Sequence, residues 1–495
     1  LTGRYSLRTG VTDTYNGGAI MSSNEITLAE IFAEKNYKTG IFGKWHLGDN
    51  YPSRPSDQGF QESVIHLAGG IGQVGDFTNY YAGNKSYYDP ALWHNNEIKK
   101  YEGYCSDIFT NEAIKFIEQN KSNQFFCYLS FNAPHTPLQV PEKYYDLYRD
   151  IDPSNFYEEV TSEMTERDVN DAKKIYGMVT NIDENFGKLL YKLEELDIKE
   201  NTIVIFLTDN GPQQTRYVSN LRGLKSQVYN GGIKVPFYFS YPKLYNKSKD
   251  IDFFGAHIDV LPTLSKLCNL TIPTDRKIDG INLFDENIDK NNRDFFSYWT
   301  RKSPELYKNI SLNSDNYKLV GNTDYDSQIE NFELYDLVND PAESKNLILE
   351  KSQLAMEMKN RMDDVYYELI KSKNLVNKPR IHLGSIYQNP TILNRNDAGG
   401  QRGIWAQNEK YGLWRVNFQS GVYNFKFKFN NVEQSDGQMT LEIGNSVHSK
   451  KIYIDNEGFA SMENIKVDEG DYDLIPFLTI NRKNILPFWV EVKKL

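Results

Sequence analysis

Residues 202–211 read TIVIFLTDNG, an apolar run that ends in Asp209, Asn210 and Gly211. A continuous run of this kind is typical of a strand buried on both faces of a parallel sheet. The preceding segment, Asp168–Asp197, carries apolar residues at spacings of three and four, which predicts a long amphipathic helix. A helix followed directly by such a strand indicates an α/β layer architecture.

Two other segments repeat the pattern of an apolar strand followed by polar side chains. Thr39–Phe42 leads into Lys44 and His46, and Phe125–Phe131 leads towards His135. In open parallel sheets, ligands bind outside the carboxyl ends of the strands. If all three strands are parallel, the polar residues that follow them meet at one edge of the sheet.

The predicted fold class is α/β, with a mostly parallel sheet flanked by helices. Residues 1–290 are predicted to form the catalytic α/β domain. Short strand-like segments and a polar helix at Ser352–Ile370 predict a smaller α+β subdomain over residues 291–374. Over residues 379–495, alternating aromatic and polar residues without a helical period predict an appended β-sandwich.

Composition excludes several classes of protein. The chain has 495 residues and a formal net charge of −11, which argues against a nucleic-acid or anionic-membrane partner. An anionic ligand therefore needs a local cluster of cations. No stretch reaches about 18 consecutive apolar residues, so no membrane span is predicted. The 3 cysteines are too few for a disulfide framework or a zinc cage.

The polar residues after the strands have a joint chemical meaning. Asp209 and Asn210 offer adjacent hard oxygen ligands, which suit Ca²⁺ or Mg²⁺ more than zinc. Lys44 and His46 can neutralise an anionic ester, and other cations follow further along the chain. A divalent metal and several cations around one small anion would stabilise the charge that develops when a sulfate or phosphate ester is cleaved.

Each residue also has a plainer interpretation. An isolated Asp-Asn-Gly is most often a turn, and a single histidine or lysine is most often a surface or core residue. Lys225 alone would be a solvated lysine. His257 and Asp259 are interpreted as structural residues of a strand-to-helix junction. Composition and spacing alone therefore predict only an anion-binding α/β hydrolase.

Several motifs follow one another in a fixed order. They are Gly43-Lys44-Trp45-His46-Leu47-Gly48, Ala133-Pro134-His135-Thr136-Pro137, Thr208-Asp209-Asn210-Gly211, Arg222-Gly223-Leu224-Lys225, Asp259–Leu264 and Glu333–Leu337 with Asn339-Asp340-Pro341. Together these motifs resemble those of the formylglycine-dependent sulfatases of the alkaline phosphatase superfamily. The resemblance covers roughly residues 1–371 and implies an alkaline-phosphatase-like fold.

The resemblance implies a role for each motif residue. Asp209 and Asn210 would be ligands of Ca²⁺, with Mg²⁺ as the alternative. In the implied reaction a metal-held formylglycine attacks sulfur, an alcohol leaves, and sulfate is then released. His135 would serve the leaving-group oxygen, and Lys225 would share that protonation. Arg216 is a candidate residue of the pocket wall. The residues implied to bind the sulfate group or act in catalysis are Lys44, His46, His135 and Lys225.

The first residues, Leu1-Thr2-Gly3-Arg4, resemble the tail of the family's nucleophile motif. The Cys or Ser that becomes formylglycine is therefore expected before Leu1, with an aspartate pair that completes the metal site. Residues 1–495 alone are expected to be inactive. Family habit implies maturation by a formylglycine-generating enzyme and a periplasmic or secreted location. Asn230 stands where the family often carries Glu, which we interpret as a change outside the ligand set.

The expected activity is that of an arylsulfatase-like sulfuric ester hydrolase acting on a sulfated carbohydrate. The β-sandwich supports this substrate, because such appendages often bind carbohydrate. Trp405 and Trp414 are candidate sugar platforms, although core packing is the preferred interpretation of both. Two alternatives remain open: a phosphodiesterase or phosphonate hydrolase of the same superfamily, and a non-catalytic degenerate sulfatase that only binds glycans.

Overall fold

The computed structural model describes residues 1–156, 163–251, 253–288, 293–301, 303–314, 316–432 and 434–495. Contacts within the chain define two compact units whose segments alternate along the sequence. Unit 1 comprises Leu1–Tyr5, Ile114–Asn123 and Ala133–Lys371, and unit 2 comprises Ser6–Ala113, Gln124–Asn132 and Ser372–Leu495. The domain limits at 1–290, 291–374 and 379–495 stay a prediction.

The helices and strands are numbered in chain order. The helices are α1 (Leu28–Glu34), α2 (Cys105–Asn120), α3 (Glu142–Tyr145), α4 (Glu166–Glu195), α5 (Asn230–Ile233), α6 (Val260–Leu267), α7 (Ser352–Leu369) and α8 (Lys373–Val376). The first strands are β1 (Lys38–Lys44), β2 (Glu62–His66), β3 (Ala91–His94), β4 (Glu97–Lys100), β5 (Phe125–Ser130), β6 (Val204–Leu207), β7 (Phe237–Ser240), β8 (Phe295–Tyr298), β9 (Ile310–Ser314), β10 (Tyr317–Gly321) and β11 (Glu333–Asp336). The remaining strands are β12 (Ile381–Leu383), β13 (Thr391–Asn394), β14 (Gly399–Gly400), β15 (Gly412–Phe418), β16 (Gly421–Lys428), β17 (Ser435–Ile443), β18 (Ser446–Ile454), β19 (Phe459–Val467), β20 (Gly470–Ile480), β21 (Lys483–Ile485) and β22 (Trp489–Lys494). Across the described part of the chain, no helix has the length and apolar character needed to cross a membrane.

Unit 2 contains a five-stranded sheet in the order β4-β3-β2-β1-β5. β1 is parallel to both β2 and β5, which confirms the two predicted strands and their common direction. Gly43 pairs with Ser130, and a Cβ on Gly43 would lie 1.9 Å from the Ser130 carbonyl oxygen, so only glycine fits there. Because the pair is parallel, residues 44–46 and residues 131–132 leave the sheet at the same edge.

Unit 1 contains β6, and here one expectation was wrong. β6 pairs antiparallel with β7, and its four residues are half-buried, not buried on both faces. A short apolar run determines neither the partner nor the direction of pairing, because both depend on distant segments. The predicted long helix is confirmed as α4, although Val179, one of the apolar residues at the spacing of three and four, is 47% exposed.

The predicted α+β subdomain is present in unit 1. An antiparallel sheet in the order β11-β10-β9-β8 packs with α7. Nearby, the guanidinium of Arg293 donates to both oxygens of the fully buried Asp259 at 2.7 and 2.9 Å. Asp259 also accepts from the backbone N–H groups of Ala256 and Ile281. The structural interpretation of Asp259 is therefore confirmed.

The predicted β-sandwich forms the C-terminal part of unit 2. One sheet has the order β12-β15-β20-β17-β18, with β14 and β21 at its margins, and the other has the order β13-β22-β16-β19. Alternate aromatic residues of β16, including Tyr423 and Phe427, are fully buried between them. Trp414 is also fully buried, and its Nε1 donates to the Asn394 carbonyl at 2.7 Å. Trp414 is therefore a core residue and not a sugar platform, whereas Trp405 is half-buried.

The buried carboxyl group of Asp76 in unit 2 predicts a pH-dependent stability. Burial raises the pKa of Asp76 to about 6, although Gly72, Thr78 and Asn79 donate hydrogen bonds to it. In the unfolded chain an aspartate ionises near pH ~4, so ionisation of Asp76 disfavours the folded state as the pH rises from about 4 through about 6. The full cost, about 3 kcal/mol, is present above that window.

Asp76→Asn cannot ionise. Its free energy of unfolding relative to the unsubstituted protein is therefore expected to rise between pH 4 and 8, by up to about 3 kcal/mol. Urea unfolding at a series of pH values measures this difference. Asp468→Asn, at an exposed carboxyl group, controls for the loss of one charge. A difference for Asp76→Asn that is independent of pH would contradict the prediction.

Candidate active site

The turn after β6, residues 209–212, packs closely against the loop 222–232 of unit 1. The backbone N–H of Gly211 donates to the Gly232 carbonyl at 2.8 Å. A Cβ on Gly211 would lie 1.8 Å from the Gly231 carbonyl oxygen. Only glycine allows this approach at position 211, and Gly231 is in turn required by the carbonyl oxygens of Arg222 and Gly223 within its own loop. The close packing brings the turn that carries the predicted metal ligands next to a loop that carries a lysine.

Lys225 is the cation that this packing brings to the turn. Its backbone N–H donates to the Pro212 carbonyl at 2.7 Å, and its side chain is half-buried. Burial lowers the pKa of Lys225, the charge of Arg301 lowers it further, and the charge of Asp209 raises it. Lys225 therefore lies within electrostatic reach of both Asp209 and Arg301.

Arg301 was missed by the sequence analysis. Its guanidinium lies over the Trp299 ring, 4.9 Å from the centroid. The side-chain amide of Asn309 donates to the Ser226 carbonyl at 2.8 Å and to the Trp299 carbonyl at 3.2 Å. These bonds fasten the β8–β9 connection to the residue next to Lys225. The α+β subdomain thus delivers a second cation to the site, and no local sequence signal predicts this contact.

Asp209 and Asn210 are the predicted metal ligands. The Asn210 backbone N–H donates to Asp209 Oδ1 at 2.9 Å, and Asn210 Nδ2 donates to the Gly211 carbonyl at 2.8 Å, which leaves the amide oxygen as the ligand atom. His257 Nε2 donates to the Thr208 carbonyl at 2.8 Å and so braces the turn. The oxygen donors fit a hard cation in kind, but two side chains are fewer than the ~6 oxygens that Ca²⁺ takes. Among the residues that the structure describes, no group of three or more His, Cys, Asp or Glu is placed to hold a metal.

Arg216 is a further cation of unit 1 close to this turn in sequence. Its guanidinium is largely buried, and its Nη1 has no hydrogen-bond partner among the described residues. Burial lowers the pKa of Arg216 to about 10, and the neighbouring Tyr176 of α4 opposes this shift. Arg216 has no ion pair within the described ranges, and a buried guanidinium without a compensating anion is costly, so an anionic ligand at this point would stabilise the fold.

His135 also belongs to unit 1. Its Nδ1 lies 2.7 Å from the Thr136 carbonyl oxygen. Because a carbonyl can only accept, Nδ1 carries the hydrogen, and Nε2 is the nitrogen that exchanges a proton. The structure thus defines the tautomer of His135, while its placement beside Lys225 stays a prediction.

Lys44 and His46 lie at the carboxyl end of β1 in unit 2. The Lys44 carbonyl accepts a hydrogen bond from Ser130 Oγ at 2.7 Å, which ties the ends of β1 and β5 together. His46 Nε2 donates to the Thr14 carbonyl at 2.6 Å, so Nδ1 is its basic nitrogen. Because these residues belong to the other unit, their convergence with Asp209 and Lys225 stays a prediction.

Comparison with known families decides what kind of protein carries this site. The family model "Sulfatase" matches residues 1–270, which is more than half of the chain. The chain belongs to the sulfatase family. A second model, "N-sulphoglucosamine sulphohydrolase, C-terminal", matches residues 224–368 of this sulfatase. The motifs quoted above therefore lie in a sulfatase, as their resemblance implied.

Relatives of this sulfatase include enzymes of several organisms. It is 26% identical over 424 residues to an arylsulfatase of Clostridium perfringens, which covers 75% of this chain and 84% of the relative. It is 29% identical over 291 residues to an ulvan-active sulfatase of Formosa agariphila. That alignment covers 55% of this chain and 52% of the relative, so the chain matches about half of that protein.

A solved structure confirms the fold of this sulfatase. The crystal structure of Ps i-CgsB in complex with k-i-k-neocarrahexaose superposes with a TM-score of 0.63 and 24% sequence identity. The superposition covers 75% of this chain and 82% of that one. The alkaline-phosphatase-like α/β fold predicted from the motifs is confirmed.

Asn230, where this sulfatase departs from the family pattern, joins a buried charge network. Lys318 Nζ donates to Glu343 Oε1 at 2.7 Å and to Asn230 Oδ1 at 2.6 Å, and the Asn230 backbone N–H donates to Glu343 Oε2 at 2.6 Å. The side chains of Lys318 and Glu343 are fully buried. The network fixes the start of the Asn230-Gly231-Gly232 segment against which the Asp209 turn packs. Asn230 therefore helps to fix the geometry of the loop.

Arg222 of this sulfatase also serves the loop. Its Nη1 donates to Glu333 Oε2 at 3.2 Å and to the Tyr335 hydroxyl, and its guanidinium lies 4.0 Å from the Tyr229 ring centroid. These contacts join the loop 222–232 to β11. Arg222 therefore holds the loop that presents Lys225.

Proposed function

We propose that this sulfatase removes sulfate from a sulfated carbohydrate. Sulfate-ester hydrolysis is the activity that its family membership supports, and the ulvan-active relative supports a carbohydrate substrate. The observation that carries the proposal is the position of Lys225, whose backbone N–H donates to the Pro212 carbonyl at 2.7 Å and which lies within electrostatic reach of Asp209 and Arg301. A bound Ca²⁺ or Mg²⁺, held by Asp209 and Asn210 with further ligands, and a formylglycine would supply positive charge and the nucleophile.

The cations of the chain act on the sulfate group. Lys225 and Arg301 repel each other, because like charges within electrostatic reach in a partly buried site disfavour each other's charged form. A sulfate ester between them removes that repulsion and receives charge-assisted hydrogen bonds. Arg216 would contact a further oxygen of the substrate. By the family resemblance, Lys44 and His46 add to the same oxyanion site.

His135 and Lys225 act on the leaving oxygen. When the bond between sulfur and the ester oxygen breaks, that oxygen takes negative charge and needs a proton. His135 Nε2 would donate this proton while Nδ1 keeps its hydrogen bond to the Thr136 carbonyl. The lowered pKa of Lys225 makes its ammonium group a better acid than an ordinary lysine, so Lys225 would share the transfer.

Arg301→Gln tests the coupling between the two cations. Removing the positive charge of Arg301 raises the pKa of Lys225. If protonated Lys225 is required, activity is lost as the pH rises through this pKa, so the alkaline limb of kcat/KM is expected to move to higher pH. The pH–rate profile of p-nitrophenyl sulfate hydrolysis by the natural full-length protein measures the shift. Arg402→Gln, at an exposed arginine, is the control. An alkaline limb that stays in place would exclude this coupling.

The choice of ester tests the proposed reaction itself. The natural full-length protein, matured with a formylglycine-generating enzyme, is expected to hydrolyse p-nitrophenyl sulfate in preference to p-nitrophenyl phosphate. A strong preference for phosphate would favour the phosphodiesterase or phosphonate hydrolase alternative.

Ala or Gly at the encoded nucleophile position would favour a non-catalytic glycan-binding protein. A periplasmic or secreted location stays a prediction.

A further inference from the structure

A cavity of about 230 Å³ lies within unit 2, away from the Asp209 turn in sequence. Ser63, Ile65 and Leu67 line it at a spacing of two, so one face of β2 and its continuation forms the floor. Another part of the lining comes from the C-terminal segment and includes Gln388 and Ile392. The volume is below the ~300–1,000 Å³ of drug-sized sites, which fits one ring and not an extended ligand.

The lining carries no spare positive charge. Arg54 is the only cation among the described residues that line the cavity. Its Nε and Nη2 donate to the two carboxylate oxygens of Asp57, both at 2.8 Å, so its charge is neutralised by a bidentate pair. Burial raises the pKa of Asp49, also in the lining, to about 6. A sulfate or phosphate group would find no unpaired cation here, whereas a neutral ligand fits.

The polar groups of the lining are fixed in position. Asn50 Nδ2 donates to the Ile392 carbonyl at 2.9 Å, and Gln388 Nε2 donates to Asn50 Oδ1 at 2.9 Å. Gln388 Oε1 accepts from the Tyr51 backbone N–H at 2.7 Å. Amides held in this way present a rigid set of donors and acceptors, so little side-chain entropy is lost when a ligand binds.

An aromatic pair completes the lining. The rings of Phe77 and Trp93 pack edge to face at 6.1 Å. Trp93 Nε1 is buried and has no hydrogen-bond partner among the described residues. The aromatic rings, and not this enclosed N–H, are therefore what the pair offers to a ligand in the cavity. At the margin, Asn96 is exposed and gives access from solvent.

We propose that this cavity binds one neutral pyranose ring, supplied by an unsulfated unit of a carbohydrate chain. The aromatic rings contact the C–H face of the sugar, and the fixed amides contact its hydroxyl groups. The absence of an unpaired cation in the described lining selects against sulfated units. This is a binding property, and it holds whether or not the protein hydrolyses sulfate esters.

The test measures binding of neutral sugars to residues 1–495. The probes are the methyl glycosides of D-galactose, D-glucose, D-xylose and L-rhamnose, followed by saturation-transfer NMR. At least one is expected to bind saturably, and D-galactose 6-sulfate more weakly than methyl galactoside. Ile392→Trp fills the cavity and is expected to weaken binding at least ten-fold. Ile386→Trp, at a residue that is 89% exposed and outside the lining, is the matched control and is expected to bind as before.

A second variant guards against misfolding of Ile392→Trp. Trp93→Phe replaces the indole by a smaller aromatic ring, so the melting temperature is expected to fall only modestly, while the loss of ring area that faces the cavity weakens binding several-fold. Saturable binding by none of the four glycosides would overturn the proposal. Equal binding by Ile392→Trp and Ile386→Trp, or by Trp93→Phe and the unsubstituted protein, would place the sugar elsewhere and also overturn it.

Discussion

Lys225→Ala is expected to lower kcat/KM for p-nitrophenyl sulfate by about 10²–10³-fold in the natural full-length protein. Removing one preorganised donor from an oxyanion site has an effect of this size. The half-buried ammonium group lies within reach of the Asp209 charge and shares the site with Arg301. Its loss would leave the charge of the sulfate oxygens undercompensated in this partly buried site. Steady-state kinetics measure the effect directly.

Two comparisons separate the roles of Lys225. Lys247→Ala, at an exposed lysine, is the control and is expected to change little. Lys225→Arg keeps the positive charge but hardly releases a proton, because an arginine pKa exceeds ~12. If Lys225 mainly binds sulfate, Lys225→Arg regains much of the activity; if it donates the proton, Lys225→Arg stays impaired. Unchanged kinetics in Lys225→Ala would remove Lys225 from the site.

Lys318→Met is expected to lower the free energy of unfolding by about 3–5 kcal/mol, because it leaves a buried carboxylate without its partner. Lys318 and Glu343 are fully buried and bond to each other and to Asn230. Burial lowers the pKa of Lys318 to about 8 and raises that of Glu343 despite their contact. The attraction between the two charges therefore offsets little more than the free energy spent in burying them. Removing one of them, in contrast, leaves the other charge buried without a partner and lowers the free energy of unfolding strongly. Chemical denaturation measures the difference.

Lys308→Met provides the matched control for this buried pair. Lys308 contacts Asp324 at 2.5 Å in the same subdomain, but both side chains are exposed, at 47% and 80%. An exposed ion pair contributes about 0–1 kcal/mol to the free energy of unfolding, so Lys308→Met is expected to lower that free energy by no more than this amount. The double variant Lys318→Met with Glu343→Met removes both buried charges and is expected to regain part of the stability. Similar losses in the two lysine variants would refute the argument from burial.

Local sequence patterns predicted most helices and strands well, because the formation of a helix or strand depends largely on the residues within that segment. The apolar periodicity of residues 168–197 gives α4, and the alternation around Phe425 gives β16 with its aromatic face inward. The same patterns predicted the wrong pairing direction for β6, which is antiparallel to β7, a strand that follows a long intervening loop. An apolar run indicates that a segment is buried from water, but it does not indicate which other segment packs against that strand.

The sequence by itself was enough to predict the sulfatase family from the order of its motifs, and to predict Asp209 and Asn210 as metal ligands. These predictions were possible because each motif is a short run of neighbouring residues. Only the tertiary structure decided that Arg301 approaches Lys225, that Asn230 bridges Lys318 and Glu343, and that Trp414 lies in a core. These outcomes depend on side chains far apart in the chain. The physical reason is that charge repulsion, desolvation and packing act through space, and separation along the chain does not encode distance through space.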